Sequence, residues 1–151
     1  MEWLHEYAYP AEKRMADPEF AKNVYKKVLS YLIRNGTTTA VYFASIHLES
    51  TKLFADLCIQ YGQRAYVGKV SMDQNGQEDY VETTEGSLKD TEAFIQYVLK
   101  KNSNLVKPVI TPRFISTCSS EVRKRGDLGP YAWRRVDCKN PLASKWFRAI
   151  G

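Results

Sequence analysis

The stretch with the clearest chemical potential is VKPVITPRFIST, residues 106–117. Val106, Val109 and Ile110 form a short apolar run bounded by Pro112, the pattern of a buried strand. Arg113 and Phe114 follow at once, where the strand gives way to a loop. In α/β folds, ligands meet the protein at the carboxyl ends of strands. An arginine there offers planar, paired donors to a carbonyl, carboxylate or phosphate, and the phenylalanine offers a flat apolar face. Together they suit a small, flat, polar ligand such as a heterocyclic base. The competing reading makes Arg113 a surface charge and Phe114 a core plug.

Other reactive residues are sparse. The histidines are His5 and His47, with no HxH or HExxH pattern, whereas a catalytic zinc takes about three protein ligands and an open position. His47 lies just after a predicted strand and could face a site, but a lone histidine there also reads as a hydrogen-bonded loop residue. Asp73, after the next strand, has the address of an acid or base, yet its Asp-Gln-Asn-Gly context reads as a turn. Cys118 follows Arg113 closely and lacks the nearby histidine that would activate it. Cys58, Cys118 and Cys138 are odd in number and far apart, so they make neither a disulfide framework nor a metal knuckle. Neither GxGxxG nor GxxxxGK[ST] occurs, leaving dinucleotide or nucleotide phosphate binding without a loop.

The elements that must position these residues alternate. Met1–Pro10 is a short aromatic-rich segment that Pro10 closes. Asp17-Pro18-Glu19 starts a helix with an N-cap acid, a first-position proline and a first-turn acid. Phe20, Val24, Val28 and Leu32 then form its apolar stripe, with Leu29 and Ile33 beside it, and Asn35-Gly36 ends it. Residues 37–44, TTTAVYFA, read as a strand. Residues 45–50 are a loop before a helix carrying Leu53, Phe54, Leu57 and Tyr61. Residues 64–72 are the second strand, with Gly68 marking a close backbone approach. Residues 73–86 form a polar loop too long for a bare connector, and Ser87 with Asp90 suggests a capping box for the next helix. That helix runs to Lys101 and leads into the strand before Arg113. Helix, strand, helix, strand, helix, strand implies parallel strands in an α/β fold, either part of a doubly wound sheet or an arc of a barrel.

Length and charge narrow the class. A chain of 151 residues can build one domain with a real core, but an eightfold barrel takes about 250 residues. No long apolar stretch or signal pattern is seen, so the chain reads as cytoplasmic, without a membrane partner. The net charge of +5 comes from 22 basic and 17 acidic residues. Residues 121–151 hold 8 basic against 3 acidic, +5, so residues 1–120 hold 14 against 14. That basic tail interleaves Tyr131, Trp133, Trp146 and Phe147, a composition that can bind single-stranded nucleic acid. It lacks an apolar period, and glycines and prolines break it, which equally describes a disordered or loosely docked extension.

Several consecutive pieces resemble the guanine deaminases of the amidohydrolase superfamily: EWLHEYAYPAE, NGTTTAVYFASIH, GQRAYVGKVSMD, TTEGSLKDTEAF, and VKPVITPRF followed by Cys118-Ser119. The resemblance covers roughly residues 2–121. It implies a partial (β/α) barrel over residues 1–121, of which this chain supplies about three parallel strands, and the hydrolysis of guanine to xanthine and ammonia. In the family a zinc-bound hydroxide attacks the ring carbon that carries the amino group. Carried over, Arg113 and Phe114 match the family's pair of substrate contacts. The arginine would address the purine carbonyl and ring-nitrogen edge, and the phenylalanine would pack on the ring.

The departures shape the expectation too. The family's HxH zinc ligands precede the first residue of this chain, and its later histidines, glutamate and metal-binding aspartate follow the point where the resemblance stops. Residues 122–151 are therefore expected to be a basic, non-homologous tail, as a truncated frame, an alternative exon or a shifted frame would produce. The expectation is a guanine deaminase family member that holds no zinc and is inactive alone, with guanine and further subunits as partners and no nucleic acid. The alternative is a small α/β protein whose basic tail binds nucleic acid or an acidic partner. An arc of three strands should also leave strand edges and helix faces open.

Overall fold

The computed structural model describes residues 3–128. Pro10 does not close the first segment: a π-type turn, Leu4–Ala8, runs into helix α1, Tyr9–Lys13, with Pro10 in its first turn. There a missing N–H costs no intrahelical bond, so proline opens a helix as readily as it ends one. A 3-10 turn, Arg14–Ala16, leads to Asp17, whose Oδ1 accepts from the Glu19 N–H at 3.0 Å and caps helix α2, Pro18–Arg34. Gly36, at φ 82°, takes the left-handed turn after it.

The buried stripe of α2 is Ala21, Tyr25 and Leu29, one residue on from the stripe the apolar spacing predicts, and Val28 is exposed. The Tyr25 ring accounts for the rotation. It stacks on Phe54 with centroids 4.1 Å apart, and that aromatic contact outweighs the smaller valines.

Strand β1, Thr39–Phe43, helix α3, Leu48–Gln60, and strand β2, Arg64–Gly68, come next, followed by the two-residue strand β3, Val70–Ser71. Helix α4, Thr84–Lys100, starts one turn before the predicted box. Its cap is Thr83, whose Oγ1 accepts from the Gly86 N–H at 3.1 Å, while Ser87 is buried. Gly86 has no side chain to complete a reciprocal box, so the sequence pattern did not reveal this start. Strands β4, Val106–Pro108, and β5, Thr111–Pro112, precede helix α5, Ser120–Leu128. The boundary expected at 121 falls inside α5, where Val122 is buried. Residues 129–151 of the predicted basic tail lie outside the described residues.

All strand pairs are parallel, as predicted, in the order β1-β2-β4 with β3 beside β5. The two interrupted strands keep one register. Val67 pairs with Pro108 and Val70 with Thr111, offsets of 108 − 67 = 41 and 111 − 70 = 41. Gly68 sits at the interruption, and a Cβ there would collide with the Thr111 side chain and the Val109 carbonyl, the close approach the glycine suggested.

Helices α2, α3 and α4 cover one sheet face around Leu29, Phe54, Ala65, Val67, Phe94 and Val106. On the opposite face Val41, Tyr66 and Lys107 stand in register, and the edge-strand residues Val41 and Phe43 remain about half exposed. A smaller cluster, Tyr9, Met72 and Tyr80 with Leu4 and Ile46, sits over the carboxyl ends of the strands. This cap of aromatic residues is what places the first helix above the sheet.

Candidate functional site

The parallel ladder extends past the strands to their carboxyl ends. Ala44 N–H donates to the Gly68 carbonyl and Val70 N–H to that of Ser45, both at 3.0 Å, and Arg113 N–H donates to Ser71 O at 3.1 Å. The backbone of Arg113 is thus held by the last rung, and its side chain leaves from the strand end that sequence reasoning assigns to ligand contact.

That side chain meets α1. Arg113 Nη1 and Nη2 donate to the two Glu12 oxygens, the Nη2–Oε1 bond at 2.7 Å. Tyr80 Oη donates to Glu12 Oε2 at 2.7 Å. The guanidinium carbon lies 5.0 Å from the Tyr9 ring centroid and 5.7 Å from that of Phe114, within the range of cation–π attraction. Burial works against the charge on Arg113, and the adjacent Glu12 carboxylate outweighs it and raises the arginine's pKa. Burial and the same carboxylate push the Tyr80 phenol well up, so it stays a neutral donor.

Both halves of the competing reading of this pair are reversed. The Arg113 side chain is only 12% exposed and sits in a bidentate ion pair, and Phe114 is 47% exposed and plugs no core. One nitrogen of the guanidinium has no partner at all: Arg113 Nε is buried and makes no hydrogen bond.

The remaining candidates separate. His47 does face this cluster, its ring centroid 6.0 Å from that of Tyr80. Burial lowers its pKa, which the Glu12 backbone carbonyl partly offsets, and its Nε2 is buried without a partner. His5 is exposed and meets Gln77. Asp73 is a clasp, not a free acid or base: Oδ1 accepts from Ser119 N–H and Oδ2 from Thr84 Oγ1, both at 2.7 Å. Partial burial works to raise its pKa, but the hydrogen bonds from Ser119 and Thr84 outweigh that and lower it. Cys118 is buried with its thiol on the Ser71 carbonyl at 3.1 Å, a packed thiol with no base beside it.

Sequence reasoning missed Glu12, Tyr9 and Tyr80. They lie 101 residues or more, or 33 residues, away from Arg113 along the chain, and no periodicity or motif links them to it. It also missed a second buried pair. Lys69 Nζ lies 2.5 Å from Glu82 Oε1 and donates to the Val70 carbonyl at 3.0 Å. Burial pushes Lys69 down and Glu82 up, each partly offset by the other.

A resident metal does not fit these residues. Among the described residues no three His, Cys, Asp or Glu side chains group closely enough to hold one, and Asp73, Cys118 and Glu12 are each engaged by other partners. Among the same residues, no helix is long and apolar enough to cross a membrane.

Residues 1–125 match the sequence model of the Amidohydrolase family. Human guanine deaminase is 48% identical over 136 residues, covering 89% of this chain and 30% of the human protein. That coverage carries the similarity past residue 121, where the sequence reading ends it. The guanine deaminase of Dictyostelium discoideum is 45% identical over 122 residues, 81% of this chain and 27% of that protein. The crystal structure of guanine deaminase from C. acetobutylicum, with guanine bound in its active site, superposes with a TM-score of 0.82 at 41% identity. It covers 89% of this chain and 32% of that one. The chain thus spans about a third or less of the relatives it matches, and the α/β arc corresponds to part of their barrel.

Proposed function

This chain belongs to the amidohydrolase family, and from that premise we propose that it forms the base-recognising arc of a guanine deaminase. The observation that carries the reading is Arg113, fixed by its backbone at a strand end with an exposed phenylalanine beside it. Arginine reads guanine through paired donors to O6 and N7. A base held this way turns its C2 amino group, the group lost on hydrolysis to xanthine and ammonia, to the far side of the ring. Adenine would present an amino donor where guanine presents O6, so the same arginine discriminates between them. Phe114 supplies an apolar surface for the ring.

Guanine deaminases of this family are generally metal-dependent, and zinc is the metal in this proposal. Because the described residues do not fit a metal, no step of the hydrolysis is assigned to them: their part is to bind and orient the base. Free thiols at Cys58 and Cys118 agree with a cytoplasmic setting.

The test is a hybrid in which residues 2–121 replace the matching segment of the C. acetobutylicum guanine deaminase. Xanthine formation is expected. Arg113→Ala should lower kcat/KM by about 10- to 150-fold, the equivalent of a lost charge-assisted hydrogen bond of about 1.5–3 kcal/mol, with bound metal unchanged. A near-normal kcat/KM in that variant would remove Arg113 from substrate recognition.

A further inference from the structure

A guanidinium carries five N–H donors: one on Nε and two on each Nη. In Arg113 the outer edge, Nη1 and Nη2, is taken by the two Glu12 oxygens. What remains is one hydrogen on each Nη and the Nε–H, and Nε is the buried atom with no partner. Glu12 is itself held, since Tyr80 Oη donates to its Oε2 at 2.7 Å and Tyr80 is buried against Tyr9. The carboxylate therefore cannot swing away without stripping a buried phenol of its acceptor.

We propose that Glu12 is a positioning residue that grips Arg113 by its outer edge and so fixes which of its remaining donors meet the O6 and N7 atoms of a 6-oxopurine. This rests on the reading of Arg113 as a base contact and extends it to a residue on another element, 101 positions earlier in the chain. An arginine free to rotate would offer either edge, and a single rotamer offers one, so the grip raises affinity by removing alternatives before binding.

Equilibrium dialysis of the hybrid, stripped of metal so that guanine is not turned over, against guanine and against 2-aminopurine, which lacks the 6-oxo group, tests the proposal. Glu12→Gln keeps the shape but loses the paired charge, and should weaken guanine about tenfold while moving 2-aminopurine less than about twofold. Tyr80→Phe leaves Arg113 and Glu12 in place but frees the carboxylate, and should weaken guanine about two- to threefold, again selectively. Arg113→Lys should weaken guanine at least as much as Glu12→Gln, and the double variant should be no worse than Arg113→Lys alone, because Glu12 acts through Arg113. Equal loss of guanine and 2-aminopurine in Glu12→Gln would make Glu12 a merely structural residue and overturn the proposal. So would unchanged guanine binding in that variant. Guanine binding by Arg113→Lys equal to that of the unaltered hybrid, or no guanine binding by the unaltered hybrid, would remove the base-contact reading itself.

Discussion

Two ion pairs lie close to the carboxyl ends of the strands, and they differ in what they leave over. Lys69 is wholly buried, its ammonium facing Glu82 and the Val70 carbonyl, while Glu82 Oε2 also accepts from the Met72 N–H at 3.4 Å. The main chain around it is engaged too, with Thr111 Oγ1 donating to the Lys69 carbonyl at 2.8 Å. Arg113 and Glu12 are also largely buried, but the arginine retains an unpartnered Nε and stands next to the exposed ring of Phe114. A pair closed on itself ties a break in a strand to the loop after it. A pair with one nitrogen left unpartnered is the one to which the proposed function assigns the base. Burial and charge alone do not distinguish the two; a buried nitrogen with no partner at all does.

The contrast is sharpest in stability. Glu82→Ala strands an ammonium with no exposed surface, and removing one partner of a buried pair costs about 3–5 kcal/mol. Glu12→Ala leaves a guanidinium that is partly solvent-accessible and lies against the Tyr9 ring, so its cost should be smaller, roughly 1–3 kcal/mol. Urea denaturation of both variants compares them, and an equal or reversed order would break the distinction.

The closed pair should also be replaceable as a unit. Lys69→Met with Glu82→Leu removes both charges together, and such swaps are often neutral or stabilising by about 1–4 kcal/mol. Urea midpoints at or above that of the unaltered chain are expected, and a loss comparable to that of Glu82→Ala would show that the charges themselves hold the strand break.

The smallest expected effect is at Asp73, a carboxylate held by neutral donors from Ser119 and Thr84 in place of a cation. Its pKa is lowered in the folded chain, so the unfolded chain binds more protons just below the ordinary carboxylate value of about 3.9. The contribution of Asp73 is therefore complete above that value and is lost as pH falls through the lowered one. The stability gap between the unaltered chain and Asp73→Asn should stay constant from pH 7 to about 5 and close below about pH 4. A gap that does not narrow in acid would mean that the clasp makes no use of the charge.

Much of this architecture was legible in the residues because its signals are local. Asp17-Pro18-Glu19 caps and opens α2, Gly36 ends it, and Gly68 marks a contact that no side chain could share. Parallel strands followed from their alternation with helices. The errors were local signals that tertiary contacts overruled. Pro10 opens a turn of helix where the sequence suggested a close, because Tyr9 packs on Tyr80. The stripe of α2 turned by one residue toward the Tyr25–Phe54 stack, and α4 begins at Thr83, whose partner Gly86 bears no side chain to announce it.

By itself the sequence determined the alternation of parallel strands with helices α2 to α4, the resemblance to guanine deaminases, and the address of Arg113 and Phe114 at the end of a strand. Those depend on neighbours in the chain or on whole motifs. Only the tertiary structure decided which charge pairs with which, and therefore which donors remain. Glu12 meets Arg113 across 101 residues because an aromatic cap of Tyr9 and Tyr80 folds α1 over the strand ends. A carboxylate and a guanidinium interact through distance and direction, and neither is written in the spacing of a linear chain.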